Sequence, residues 1–144
     1  MTNGLLGVPQ HVGMVVADLD AARTEWSRFA GLEWNLFSHV RTDWVKDGRI
    51  IPTEMSVAYS TTLSPAVELI QEHGPEPLLP APEGNHIGYI VEDMHAARSE
   101  LEEAGMSLHS ALYKDGRLLA AYFTNPHGLL LEIAIPDIAA VLLP

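Results

Sequence analysis

Two histidines stand 75 residues apart in matching stretches of sequence. His11-Val-Gly-Met-Val-Val-Ala-Asp-Leu-Asp-Ala-Ala-Arg23 and His86-Ile-Gly-Tyr-Ile-Val-Glu-Asp-Met-His-Ala-Ala-Arg98 agree at seven of thirteen positions. Such self-similarity marks an internal repeat. Each copy is followed by one carboxylate inside an apolar run: Glu68 in Ala-Val-Glu-Leu-Ile, and Glu132 in Leu-Leu-Leu-Glu-Ile-Ala-Ile. A charged Glu in a buried strand is costly unless something compensates it, and no equally patterned cations stand in neighbouring strands. Two neutral imidazoles and two carboxylates meeting across a pseudo-two-fold axis would hold a divalent cation. The expected metal ligands are therefore His11, Glu68, His86 and Glu132, around one ion per site. A lone strand-end His is ordinarily a hydrogen-bonded structural residue, and a lone strand Glu ordinarily faces solvent from an edge, as expected for Glu54. The four carry the inference because they recur in register with the repeat. His39, His73, His95, His109 and His127 show no such pattern; His127 reads as a turn residue and His95 as a helix-surface one.

The elements that must position these residues follow from local patterning. HVGMVV and HIGYIV are β-branched-rich runs of strand length, and Asp18 and Asp93 then occupy helix N-cap positions. Leu19, Ala22, Trp26 and Phe29 form one helical stripe, and Met94, Ala97, Leu101 and Ala104 form another at the same steps. Gly31 and Gly105 are the expected helix stops. Strands are expected near Trp34–Val40, Met55–Ser60 and Ala66–Gln71 in the first half. Leu108–Tyr113, Leu118–Thr124 and Leu129–Ile135 are their counterparts in the second. Lys-Asp-Gly-Arg at 114–117 is hairpin-turn chemistry, and its recurrence at 46–49 is either a further echo of the repeat or coincidence. The reading is an α+β fold of two copies of a βαβββ unit. One domain, 1–144, divides into a module at about 9–71, a Pro/Gly-rich linker at 72–84 and a second module at about 85–135.

Composition narrows the function classes. With 144 residues, 47% hydrophobic and 19% charged, the chain can bury one core of ordinary size. Lys and Arg number 8 against 19 Asp and Glu, a formal net charge of −11, which argues against nucleic-acid binding or docking on an anionic membrane. The absence of Cys excludes disulfides, thiolate sites and Cys nucleophiles. MTNGLLGVPQ lacks the basic and apolar regions of a secretory signal, and no apolar run approaches a membrane span. A cytoplasmic protein is expected.

These residues resemble the vicinal oxygen chelate superfamily, which includes glyoxalase I, methylmalonyl-CoA epimerase, extradiol dioxygenases and fosfomycin- or bleomycin-resistance proteins. The resemblance covers about residues 9–135. It rests on His11-Val-Gly-Met-Val-Val-x-Asp, Val67-Glu68-Leu69, His86-Ile-Gly-Tyr-Ile-Val-x-Asp, and Asn125-Pro126-x-Gly128 leading to Glu132-Ile133. It implies that the two paired βαβββ modules form a curved mixed sheet around a metal-centred cavity, and that His11, Glu68, His86 and Glu132 correspond to the four ligand positions of the lyase and isomerase branch, for Zn, Ni, Co, Mn or Fe.

The second ligand separates the branches. Extradiol dioxygenases resemble the pattern at His11, His86 and Glu132 only, a two-His-one-carboxylate triad for Fe(II). Glu68 fills a fourth position, as in glyoxalase I and the epimerases. A glyoxalase- or epimerase-like enzyme is the favoured reading: proton transfer next to a metal-bound carbonyl or hydroxyl of a small substrate, with Glu132 as primary base and Glu68 as its partner. The alternatives are an Fe(II) extradiol-type dioxygenase and a non-catalytic drug-sequestering protein. Trp34, Trp44, Tyr59, Tyr113 and Phe123 are candidate cavity-wall aromatics. Arg41, Lys46, Arg49, Lys114 and Arg117 are loop cations that could hold an anionic group. A small neutral or aromatic carbonyl compound suits the acidic composition better than a thioester of coenzyme A. The apolar tail, Ile138-Ala-Ala-Val-Leu-Leu, suggests a homodimer contact or a segment folded over its own sheet, and the linker permits a site closed within one chain or shared between two.

Overall fold

Asp18 and Asp93 each accept a hydrogen bond at 3.0 Å from the backbone N–H three residues on, at Ala21 and Ala96. These caps start two helices, α1 (Leu19–Ala30) and α2 (Met94–Glu103), each directly after a five-residue strand, β1 (His11–Val15) and β5 (His86–Ile90). The computed structural model describes residues 4–80 and 83–142. Behind α1 come β2 (Trp34–Lys46), β3 (Arg49–Ser60) and β4 (Ala66–Glu72); behind α2 come β6 (Ser107–Lys114), β7 (Arg117–Thr124) and β8 (Leu130–Ala134). A short helix, α3 (Ile138–Leu142), follows.

The eight strands close into a barrel in the order β1-β4-β3-β2-β6-β7-β8-β5. Each half contributes four neighbouring strands, so the α+β architecture repeats about a pseudo-two-fold axis. Two seams join the halves: antiparallel pairing of β1 with β5 through Gly13↔His86, and of β2 with β6 through Trp44↔Leu112. Both seams form within one chain.

Side chains on β4 alternate between two buried faces. Val67 and Leu69 point outward into a cluster with Leu19 and Leu32, which α1 covers, while Glu68 and Ile70 line the barrel interior. On the other half, Met94, Ala97 and Leu101 of α2 are buried against the larger core. Two members of the expected stripes lie elsewhere. Phe29 is 65% exposed, tilted against Trp26 at the end of α1. Ala104 sits outside α2, which ends one residue earlier, and Gly105 then takes φ +95°. Gly31, at φ +66°, is the stop expected of it.

Both Lys-Asp-Gly-Arg segments are two-residue hairpin turns, with positive φ at Asp47, Gly48, Asp115 and Gly116. That is the mirror-image turn that matches strand twist. The recurrence at 46–49 is thus structural. β2 and β3 extend to this turn well beyond the expected strands, as a long arm. The linker contains core: Leu78 and Leu79 are fully buried, and their N–H groups donate to Glu72 at 2.8 Å.

Candidate metal centre

His11 and His86 open the two seam strands, and each faces a glycine across the seam: His11↔Gly88 and Gly13↔His86. A methyl group on either glycine would land on the partner imidazole ring. The His-x-Gly of each repeat is therefore a reciprocal arrangement, in which each glycine vacates the space the other repeat's ring fills. β4 and β8 run parallel to the seam strands and place Glu68 beside Gly13 and Glu132 beside Gly88. Tyr59 pairs with Glu68 one strand further out, and Tyr122 with Glu132. Two matching rows thus cross the barrel floor, each of histidine, glycine, glutamate and tyrosine.

The four expected ligands converge. The two Nε2 atoms are 3.2 Å apart. Glu68 Oε1 lies 3.5 Å from His11 Nε2 and 3.2 Å from His86 Nε2. Glu132 approaches both rings through separate oxygens, at 3.9 and 3.7 Å. Ligand atoms of His11, His86 and Glu132 all fall within 4.8 Å of one another. All four residues are buried, at 9% exposure or less.

The outer nitrogens fix the tautomers. His11 Nδ1 donates to Gln10 Oε1, and His86 Nδ1 donates to the Gly84 carbonyl at 2.9 Å. Each Nε2 lone pair is thereby turned inward, the arrangement a metal-ligating histidine requires. Glu68 Oε1 is buried with no aligned hydrogen-bond donor. Inward lone pairs beside an unpartnered carboxylate oxygen are a set that a divalent cation satisfies, and nitrogens this close suit adjacent positions around one ion with bonds of about 2.1 Å. The donor set fits the expected metal.

The electrostatics agree. Burial disfavours the charged form of His86, but the Glu68 and Glu132 carboxylates outweigh it and raise its pKa to about 9. Burial likewise pushes Glu68 upward, and the two imidazoles overcome it to hold the carboxyl below its ordinary range. Burial, then the same carboxylates, pushes the Tyr59 and Tyr122 phenols well above their ordinary value, so both remain neutral donors. Without metal, His86 carries a proton at neutral pH. Its charge-dependent stabilisation is full below pH 6.5 and fades as pH rises through about 9. Calorimetry of Zn²⁺ binding in buffers of different ionisation enthalpy should therefore show about one proton released near pH 7, declining towards zero above the His86 pKa. Proton release independent of pH would contradict this.

A cavity of about 140 Å³ opens above the two carboxylates, walled by Phe37, Trp44, Val57, Leu112 and residues of α3. Of the expected wall aromatics, Trp44 and Tyr59 line it. Trp34 instead donates its indole N–H to Ser27 Oγ, Tyr113 is exposed, and Phe123 is fully buried in the core. Tyr122 and Phe37 are wall residues that the sequence did not disclose. The tail folds back on its own barrel, with Ile138, Val141 and Leu142 packed on the core.

The glycines give a further prediction. Gly88→Ala should displace the His11 ring, costing about 1–3 kcal/mol of stability through overpacking and weakening metal binding at least tenfold. Denaturant melts and a Co²⁺ titration read the two effects, and a variant with wild-type affinity would remove the glycine's assigned role.

The sequence matches a family model described as glyoxalase/bleomycin resistance protein/dioxygenase superfamily over residues 10–123. The chain belongs to this superfamily. No curated protein matches the chain as a relative. Among solved structures, methylmalonyl-CoA epimerase from Mycobacterium tuberculosis superposes with a TM-score of 0.61 at 18% identity, covering 97% of this chain and 96% of that one. A hypothetical protein from Bacillus halodurans C-125 gives 0.59 at 14% identity, over 90% and 94%. A Streptomyces coelicolor methylmalonyl-CoA epimerase variant bound to 2-nitronate-propionyl-CoA gives 0.55 at 18%, over 92% and 99%. At these identities the likeness is one of fold, the paired-module barrel of the superfamily.

Proposed function

We propose that the protein is a divalent-metal-dependent isomerase or epimerase, acting by proton transfer at a carbon next to a carbonyl or hydroxyl of a small substrate. The observation that carries this reading is the meeting of His11, His86, Glu68 and Glu132 at the base of a cavity, with a Glu68 oxygen that lacks an aligned hydrogen bond among them. The four would hold the ion, which supplies positive charge to polarise a substrate oxygen and acidify the neighbouring C–H.

The chain's own groups then do the proton work. Both carboxylates line the cavity from opposite rows of the barrel floor. Glu132, the more loosely held by the imidazoles, takes the C–H proton onto a carboxylate oxygen, while the electron pair left on carbon delocalises into the adjacent carbonyl. For return from the other side, Glu68 acts in the form that has taken a proton from solvent: it delivers that proton to carbon and ends ionised, while Glu132 ends protonated and gives its proton back to solvent. Return to the opposite face of the same carbon inverts it, and return one carbon over moves the carbonyl. Tyr59 and Tyr122, held neutral, keep their O–H groups as donors beside the carboxylates. The mostly apolar walls limit the water beside the reacting carbon, while a carboxyl proton that exchanges with solvent before its return lets deuterium enter.

The related folds act on or bind coenzyme A thioesters, but the cavity here offers a charged acyl group no cation. The reaction class is therefore assigned without that substrate. NMR of the metal-loaded chain in deuterated water, offered α-hydroxycarbonyls, thiohemiacetals and α-branched acyl thioesters, should show deuterium wash-in at one α-carbon. Ligand-dependent oxygen consumption, or binding with no exchange in any class, would overturn the assignment in favour of an oxygenase or a sequestering protein.

A further inference from the structure

The cavity above the candidate metal centre has mostly apolar walls, with two tyrosines and two carboxylates at its base. Among the described residues that line it there is no Lys or Arg, and its only charged groups are Glu68 and Glu132. Three hydroxyls reach the cavity: the Tyr59 and Tyr122 phenols stand beside the carboxylates, and Thr42 Oγ1 is engaged with Thr53 Oγ1 at 2.8 Å and the Trp44 indole N–H at 3.1 Å. None of the five cations that the sequence offered as anion anchors lines the cavity, and three of them are engaged with other groups. Arg41 is paired with Glu54 at 2.7 Å and Arg49 with Glu76 at 2.8 Å, both outside the cavity. Lys114 donates to the Val141 carbonyl of α3 at 2.6 Å.

The lid of this cavity is α3. Ile138, Ala139 and Leu142 form part of its wall, although no residue of α3 is itself buried. The helix is turned back over the barrel at Asp137, in the left-handed region at φ +56°. An anion entering here would surrender its hydration to apolar walls. It would also meet two carboxylates that already balance a divalent cation's charge, leaving no net positive field to draw it in.

We propose that this cavity selects a small uncharged substrate with a compact apolar body, excluding anionic acids and thioesters, and that the α3 side chains set its size limit. The inference deepens the isomerase reading and rests on its site, but its test uses binding rather than turnover, so the two can fail separately. The probes are 1-hydroxy-3-methylbutan-2-one, which is neutral, and 3-methyl-2-oxobutanoate, an anion with the same carbon skeleton. The readout is the Trp44 indole N–H signal of the full chain, followed by NMR without metal and with Zn²⁺.

The neutral ketone should shift that signal with a Kd at least tenfold below that of the oxo acid, in both metal states. Ala139→Arg, at an exposed position on α3, should close or reverse that gap by placing a cation at the cavity mouth. Leu142→Ala should admit 2-hydroxyacetophenone, which binds the wild type at least tenfold more weakly than it binds the variant. Equal or tighter binding of the anion to the metal-free wild type, no response to either probe, or an unchanged gap in Ala139→Arg would overturn the proposal. Selective binding of the neutral probe without deuterium exchange would uphold the cavity's selectivity and overturn only the proton-transfer reading.

Discussion

Glu132→Gln should lower α-proton exchange at least 100-fold while leaving the fold intact. The lower bound follows from the usual contribution of a positioned general base, about 10²–10⁴. The replacement is nearly isosteric and retains an oxygen beside the imidazoles, so β8 keeps its packing against β5 and β7. What it loses is the carboxylate that accepts the proton, together with one negative charge facing His86. Glu68→Gln separates the roles. If Glu132 is the primary base, Glu68→Gln should retain wash-in from one face of the substrate while losing inversion, a distinction visible in NMR of a chiral probe. Near-normal exchange in Glu132→Gln would remove its role as base.

The second large effect concerns stability. Without an ion, the barrel floor buries two carboxylates and two imidazoles, with the protonated His86 as the positive charge between the carboxylates and no aligned hydrogen bond to Glu68 Oε1. Binding an ion to the folded state alone stabilises it by mass action, about 2.7 kcal/mol at 100 times the Kd. For a chain of this size that is roughly 5–10 °C in Tm. Thermal melts should therefore rise with added Zn²⁺ or Co²⁺ and fall on chelation. His86→Ala should abolish the response, since it removes one imidazole and the ring that fills the space above Gly13. A metal-dependent shift that survives His86→Ala would place the binding elsewhere.

Much of this site was legible in the sequence, and the reasons are local. The Asp18 and Asp93 caps, the Asp-Gly turns and the His-x-Gly strands each rest on chemistry confined to a few residues. Their recurrence at a fixed spacing supplied the pairing of the two halves. What stayed hidden depends on register between distant strands. Tyr59 and Tyr122 hold matching places beside Glu68 and Glu132, yet the spacing from tyrosine to glutamate is nine residues in one half and ten in the other. The repeat therefore does not align them. The purpose of Gly13 and Gly88 appears only once β1 and β5 lie side by side. Glu54 is no edge residue facing water alone: on the long arm it accepts from Arg41, a contact that follows from the unforeseen extension of β2 and β3.

The remaining histidines make the same point. His39 and His73 carry no pattern in the sequence, but their rings stack at 4.4 Å, and His73 Nε2 lies 2.8 Å from Ser56 Oγ. A break in the β2–β3 register, with His39 at φ +52°, swings that residue towards the end of β4. The irregularity belongs to two strands together, and neither one's composition announces it.

The claim on which the mechanism rests is that one cation gathers His11, Glu68, His86 and Glu132. Elemental analysis after loading with Zn²⁺, Co²⁺, Ni²⁺ or Mn²⁺ and gel filtration tests it most directly. About one ion per chain should remain on the wild type, and almost none on His86→Ala. A wild-type chain that retains no ion, or a variant that retains as much as the wild type, would contradict the account.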